Sequence, residues 1–197
     1  MTWVKVCGLT RESDVSDAVD AGVDALGFVL AEGSSRTVST ERAATLMDGV
    51  PALRILVTVD MAPDLVADVV EATGADGIQP HGRDAAAAAL WAKQAGFFVL
   101  RPIGRGSADE IPEGQIPLLD SISGGRHGGT GMALDWATID RPERPFVLAG
   151  GLNPGNVREA IAALHPWGID ASSGLESEPG IKDGARVAAF VKEAKRT

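Results

Sequence analysis

Short apolar runs rich in Val, Ile, Leu and Phe alternate along this chain with Ala-rich stretches whose apolar residues recur at helical spacing, from the first residues to the last. Strands are expected at 3–7, 25–30, 53–59, 77–79, 97–102, 117–120, 146–149 and 168–171, eight in all. Helices are expected at 11–21, 40–48, 62–73, 84–95, 154–164 and 183–195, with Ser39, Asn153 and Asp183 as N-caps and Thr10, Ser13 and Asp14 capping the first. Such βα repetition makes each helix a crossover between parallel neighbours. Eight parallel strands in 197 residues favour a compact closed (β/α)8 barrel, one domain spanning 1–197. An open doubly wound sheet is the alternative, but Cys7-Gly8-Leu9-Thr10 after the first strand lacks the glycine spacing of a dinucleotide fingerprint. The segment 104–115 breaks the rhythm, since its glycines, paired acids and Pro112 leave room for one turn only; it predicts an irregular fifth crossover.

Composition narrows the function classes. A formal net charge of −9 argues against nucleic-acid partners, which require clustered Lys and Arg. No apolar run approaches the ~20 residues needed to span a bilayer, and the N-terminus lacks the flanks of a signal peptide. A single cysteine excludes an intrachain disulfide and fits a reducing cytoplasm.

In a barrel the ligand lies across the C-terminal ends of the strands, so the residues that fall there carry the chemistry. The first strand ends in Cys7, on the same face as Trp3 and Lys5 because side chains alternate. Taken alone, a lone cysteine reads as a packing residue. The sixth strand, however, ends in Asp120, so a thiol and an acid confront each other across the mouth. Arg36, in the loop after the second strand, is either a solvated arginine or a clamp for a carboxylate. His81 closes the Gln79-Pro80-His81-Gly82 corner, where it either donates to a ligand or satisfies a local carbonyl. Gly128-Gly129-Thr130-Gly131, Gly150-Gly151 and Ser172-Ser173-Gly174 all fall in strand-to-helix loops. Their backbone N–H groups suit a phosphate without help from any Lys or Arg.

These residues, taken in order, resemble the phosphoribosylanthranilate isomerase family of tryptophan biosynthesis. The resemblance rests on VKVCGLT at 4–10, Ser35-Arg36, the Gln79–Gly82 corner, LLDS at 118–121, GGTG at 128–131 with Leu134-Asp135-Trp136, LAGGLNPGNV at 148–157 and GIDASSGLE at 168–176. It implies a (β/α)8 barrel and an Amadori rearrangement of a phosphosugar substrate with no metal or organic cofactor, by a monomer or homodimer. By analogy Asp120 is the general acid that opens the ribose ring, and Cys7, as thiolate, is the base that removes the proton from carbon 2. Lys5 is expected to lower the thiol's pKa. Arg36 would hold the anthranilate carboxylate, His81 would contact the substrate and Asp170 would hold a sugar hydroxyl. Gly129, Gly131, Gly150, Gly151, Ser172, Ser173 and Gly174 would hold the phosphate.

Two departures bear on the anthranilate ring. The loop Leu30-Ala-Glu-Gly-Ser-Ser-Arg36 lacks the family's aromatic, proline and lysine, and Pro80 replaces a leucine. The histidine-pathway sugar isomerase is the nearest rival, but it carries an acid where this chain has Cys7. A phosphate-ligand sensor on the same scaffold would have no need of both Cys7 and Asp120.

Overall fold

The computed structural model describes residues 1–103, 108–120 and 141–196. Eight parallel strands close into a barrel in sequence order: β1 (Trp3–Cys7), β2 (Ala25–Leu30), β3 (Leu53–Val59), β4 (Gly77–His81), β5 (Phe98–Ile103), β6 (Ile116–Asp120), β7 (Val147–Ala149) and β8 (Gly168–Ala171). The seam is made by β1, which pairs with β2 through Cys7 and Gly27 and with β8 through Lys5 and Asp170. The helices are α1 (Glu12–Asp20), α2 (Thr40–Met47), α3 (Pro63–Thr73), α4 (Ala85–Gln94), α5 (Val157–Leu164) and α6 (Gly184–Lys195). The barrel agrees with the expectation, and the described part of the fifth crossover holds a 3-10 turn at Ala108–Glu110 in place of a regular helix.

Strand alternation divides the core in two. One set of side chains, including Val4, Val6, Phe28, Leu56, Ile78 and Ile169, points outward against Ala18, Leu46, Val66, Ala88, Ile161 and Phe190 of the helices. The other set fills the barrel, where Ala25, Ile55, Leu100, Leu118 and Val147 pack with Trp3, Leu53, Phe98 and Ile116. Six of these, Trp3, Ala25, Leu53, Phe98, Ile116 and Val147, are the first residues of their strands, so the N-terminal end is plugged by apolar bulk. Trp3 stacks on Trp167 outside the plug, with ring centroids 5.1 Å apart.

Helix starts follow the capping rule only in part. Ser39 accepts from the Arg42 N–H at 3.2 Å, and Asp183 accepts from Ala185 and Arg186 at 3.0 and 3.1 Å. Asn153 does not cap α5, which begins three residues later than the pattern suggests. Its Oδ1 accepts from Gly155 N–H at 2.8 Å while Asn156 Oδ1 accepts from Asn153 N–H at 2.8 Å, so the asparagines close a turn before the helix. Nor is α1 capped by its own polar residues: Thr10 Oγ1 donates to Gly180 O at 2.7 Å, and buried Asp14 accepts from Arg11. An unforeseen antiparallel hairpin follows β8, formed by β9 (Glu176–Glu178) and β10 (Ile181–Lys182) around Pro179-Gly180.

Candidate active site

Above the apolar plug the barrel interior turns polar. Lys5, fully buried on the middle of β1, donates to Asp170 Oδ2 at 2.8 Å and to Gln79 Oε1 at 3.0 Å, so three strands are tied at one depth. Its third proton faces the Cys7 sulfur, two residues further up the same face. Burial opposes the Lys5 charge, but the Asp170 carboxylate and the sulfur outweigh it and hold the ammonium above the usual lysine range. The close packing explains a glycine on β2. A Cβ at Gly27 would stand 2.7 Å from Cys7 Sγ and 3.0 Å from Lys5 Nζ.

Ammonium chemistry then orients a neighbouring pair. Lysine has only donors, so the Gln79 side-chain carbonyl must face Lys5, and the Gln79 amide nitrogen is left to face His81 Nε2, 3.1 Å away. Nε2 therefore accepts, and the imidazole is neutral with its proton on Nδ1. Burial, with Lys5 and Arg101 nearby, holds the His81 pKa below its ordinary value against the pull of Asp120.

At the C-terminal ends of the strands lies a cavity of about 210 Å³. Cys7, His81 and Asp120, the last residues of β1, β4 and β6, line it together with Gln79 and Asp170. Gly150-Gly151-Leu152 and Ser172-Ser173-Gly174 also line its wall, with apolar contributions from Leu118, Ala149 and Ala171. The two loops interlock: a Cβ at Gly174 would come within 2.1 Å of Leu152 O. Gly150 and Gly151 have φ of 93° and 64°, a left-handed backbone that a side chain would strain. Asp170 Oδ1 is buried and has no hydrogen-bond partner among the described residues, which leaves an acceptor beside the cavity. Burial pushes the Asp170 carboxyl up, and Lys5 pulls it back.

The cysteine departs from expectation in one respect. Burial pushes the Cys7 thiol above the ordinary range, and the attraction of Lys5 offsets this without reversing it. The lysine therefore moderates the thiol rather than acidifying it.

Arg36 is placed differently from the rest. It is not among the described residues lining the cavity; its stem crosses over Gly8, where a Cβ would come within 2.5 Å of Arg36 Cδ. Its guanidinium is partly exposed but already engaged on one edge, because Nε and Nη2 each donate to a carboxylate oxygen of Glu176 at 2.7 Å. Lys182 Nζ donates to the same carboxylate at 2.7 Å and reaches Ser172 O at 3.2 Å. Burial alone would raise the Glu176 carboxyl, but hydrogen bonds from Arg36 and Lys182 hold it below the usual range. Gly129 and Gly131, with the rest of 121–140, lie outside the described residues.

Gln79, Glu176 and Lys182 had no role in the sequence reading. The Pro179-Gly180 turn between Ser177 and Ile181 was the one local signal of a hairpin that returns Lys182 to the site.

Fold and site together define a (β/α)8 barrel with a thiol and carboxylates at its mouth and glycine and serine loops suited to a phosphate. The family model described as N-(5'-phosphoribosyl)anthranilate (PRA) isomerase matches residues 4–193, and the chain belongs to that family. A relative of that name from Bordetella avium is 39% identical over 214 residues, covering 99% of this chain and 96% of its own. The crystal structure of phosphoribosyl anthranilate isomerase from Thermotoga maritima superposes with a TM-score of 0.85 at 33% identity, each chain covered in full. Another family structure, in complex with reduced 1-(o-carboxyphenylamino)-1-deoxyribulose 5-phosphate, gives a TM-score of 0.83 at 32% identity over both full chains.

Proposed function

We propose that the chain isomerises N-(5'-phosphoribosyl)anthranilate to 1-(2-carboxyphenylamino)-1-deoxyribulose 5-phosphate, with Asp120 as general acid and Cys7 as general base. The observation that carries this assignment is that Cys7 and Asp120, on β1 and β6, line one cavity beside Asp170 Oδ1, unpartnered among the described residues. Protonated Asp120 gives its proton to the ribose ring oxygen as the carbon 1–oxygen bond breaks, and the nitrogen lone pair forms an iminium. The Cys7 thiolate then removes the proton from carbon 2, and the released electron pair forms the carbon 1–carbon 2 double bond of an enolamine. Proton return to carbon 1, with loss of the enol proton from the oxygen on carbon 2, turns the carbon 1–carbon 2 double bond into the carbon 2 carbonyl of the ketone. Asp170 Oδ1 accepts from a sugar hydroxyl, and His81 presents its Nδ1–H as a donor. The backbone around Gly150, Gly151, Ser173 and Gly174 receives the phosphate, joined by Gly129 and Gly131. Arg36 takes the anthranilate carboxylate from the rim.

Each role fits the residue type. A thiol has a reference pKa of ~8.5, and burial raises Cys7 above it, which lowers the thiolate fraction near neutral pH but makes the thiolate that forms a stronger base. The only cysteine must stay reduced to serve, which supports a cytoplasmic site of action. The test is direct: fluorescence of freshly prepared N-(5'-phosphoribosyl)anthranilate should decay with enzyme-dependent first-order kinetics. An unchanged signal with folded protein would refute the activity.

Among the described residues no helix is long and apolar enough to cross a membrane.

A further inference from the structure

The cluster at the rim carries more than a single arginine. A guanidinium offers two edges to carboxylates, one formed by Nε and Nη2 and one by the two terminal nitrogens. Glu176 occupies the first edge, with both hydrogen bonds at 2.7 Å. Both Nη1 protons and one Nη2 proton remain on the second edge. An arginine paired with one glutamate is a neutral unit and attracts a further anion weakly. Lys182 changes that balance: with Arg36 and Lys182 at +1 each and Glu176 at −1, the triad carries +1. Lys182 is 3% exposed, and its ammonium is occupied by Glu176 Oε1 at 2.7 Å, Ser172 O at 3.2 Å and Ser172 Oγ at 3.5 Å. It has no proton to spare for a ligand and acts only through Glu176 and the field.

We propose that Glu176 and Lys182 are positioning residues that set the selectivity for a carboxylate-bearing arylamine: Glu176 fixes the edge that Arg36 presents, and Lys182 restores the positive charge that Glu176 cancels. The inference rests on the reading of Arg36 as the carboxylate contact. It assigns work to the hairpin of β9 and β10, which delivers both residues to one carboxylate-binding corner. It also couples the two ends of the ligand, since Lys182 holds the carbonyl of Ser172 in the loop proposed to receive the phosphate.

Two probes separate positioning from simple structural damage. One is reduced 1-(o-carboxyphenylamino)-1-deoxyribulose 5-phosphate; the other is the same compound without the ring carboxyl. Calorimetry on the full-length protein gives the ratio of their dissociation constants. The unmodified protein should prefer the carboxylated probe by about ten- to a hundredfold, as expected for a charge-assisted bidentate contact. Glu176→Gln raises the charge of the triad from +1 to +2, yet it should reduce that ratio to a few fold, because the guanidinium loses the partner that fixes its edge and lost bidentate geometry outweighs the added charge. The affinity for the decarboxylated probe should stay nearly unchanged. Lys182→Met should reduce the ratio by a smaller factor.

An unchanged ratio in Glu176→Gln, or equal weakening of both probes, overturns the proposal. Arg36→Met provides the control: loss of preference there with none in Glu176→Gln sinks only the positioning role. Preference retained in Arg36→Met removes the Arg36 reading and this inference with it. Removing one partner of a buried pair is costly. Should Glu176→Gln fail to fold, Lys182→Met decides by the same ratio.

Discussion

The two ends of the barrel come from the same eight strands, yet one is filled with hydrocarbon and the other with charge. At the N-terminal end Trp3, Leu53, Phe98 and Ile116 close over Ile55, Leu100 and Val147. At the C-terminal end Cys7, His81 and Asp120 open onto a cavity. On β1 the change takes place within three residues of one face, from Trp3 through Lys5 to Cys7. Alternation decides which side chains enter the barrel, and position along the strand decides whether they support it or serve the ligand. Stability and catalysis are thus separated by height and should respond separately to mutation.

The sharpest challenge to this separation is the acid and base pair. Cys7→Ala and Asp120→Asn should each lower turnover by ~10²–10⁴-fold, since positioned acid–base catalysis contributes that much. Their thermal midpoints should stay within a few degrees of the parent protein; an early melt with normal turnover would reverse their assignment. At the opposite end Ile55→Ala, a fully buried position, should cost about 2–5 kcal/mol in urea unfolding while turnover per folded molecule persists. Smaller again is Gly151→Val, where strain at φ 64° should raise KM by about ten- to a hundredfold with kcat moved less. An unchanged KM would show that this loop does not hold the phosphate.

The finest test is a titration. Because the sequence has one cysteine, absorbance near 240 nm reports Cys7 alone as it ionises. Its midpoint should lie above that of a free thiol, and Lys5→Met should raise it further, because burial persists while the compensating charge is lost. The linkage sign follows. A thiol whose folded pKa is raised contributes stability that is fully present below the unfolded value of ~8.5 and is lost as pH rises through the folded value. Unfolding midpoints should therefore fall on the alkaline side, and less so in Cys7→Ala.

The comparison also shows what a sequence discloses. Strands were legible because apolar runs bounded by Gly, Asp and Asn recur at regular spacing, and β2, β3 and β8 fall where the pattern places them. Cys7, Asp120 and His81 were legible as residues at strand ends and Asp170 through the family resemblance, and all four line the cavity. What stayed hidden depends on partners distant in sequence. Arg36 meets Glu176 across 140 positions, and no local pattern marks a guanidinium already engaged. The moderating rather than acidifying role of Lys5 is a matter of burial, which alternation does not measure. Local competition misled as well: Asn153 has the residue type of a helix cap, but it spends its side chain on a turn.

The β1–β8 seam has a consequence for how the protein comes to be active. Lys5 and Asp170 are 165 positions apart, and their contact forms only when the ends of the chain meet. Such a non-local closure is slow to find, because the chain entropy lost in bringing the ends together precedes any gain from the contact. Until the seam shuts, Cys7 stands without Asp170 and the Ser172 loop beside it. A nascent or truncated chain that has built every earlier βα unit would still expose an ordinary, reagent-accessible thiol. Protection of that thiol from alkylation during refolding would therefore time the last event of assembly, and catalytic competence should rise in step with it.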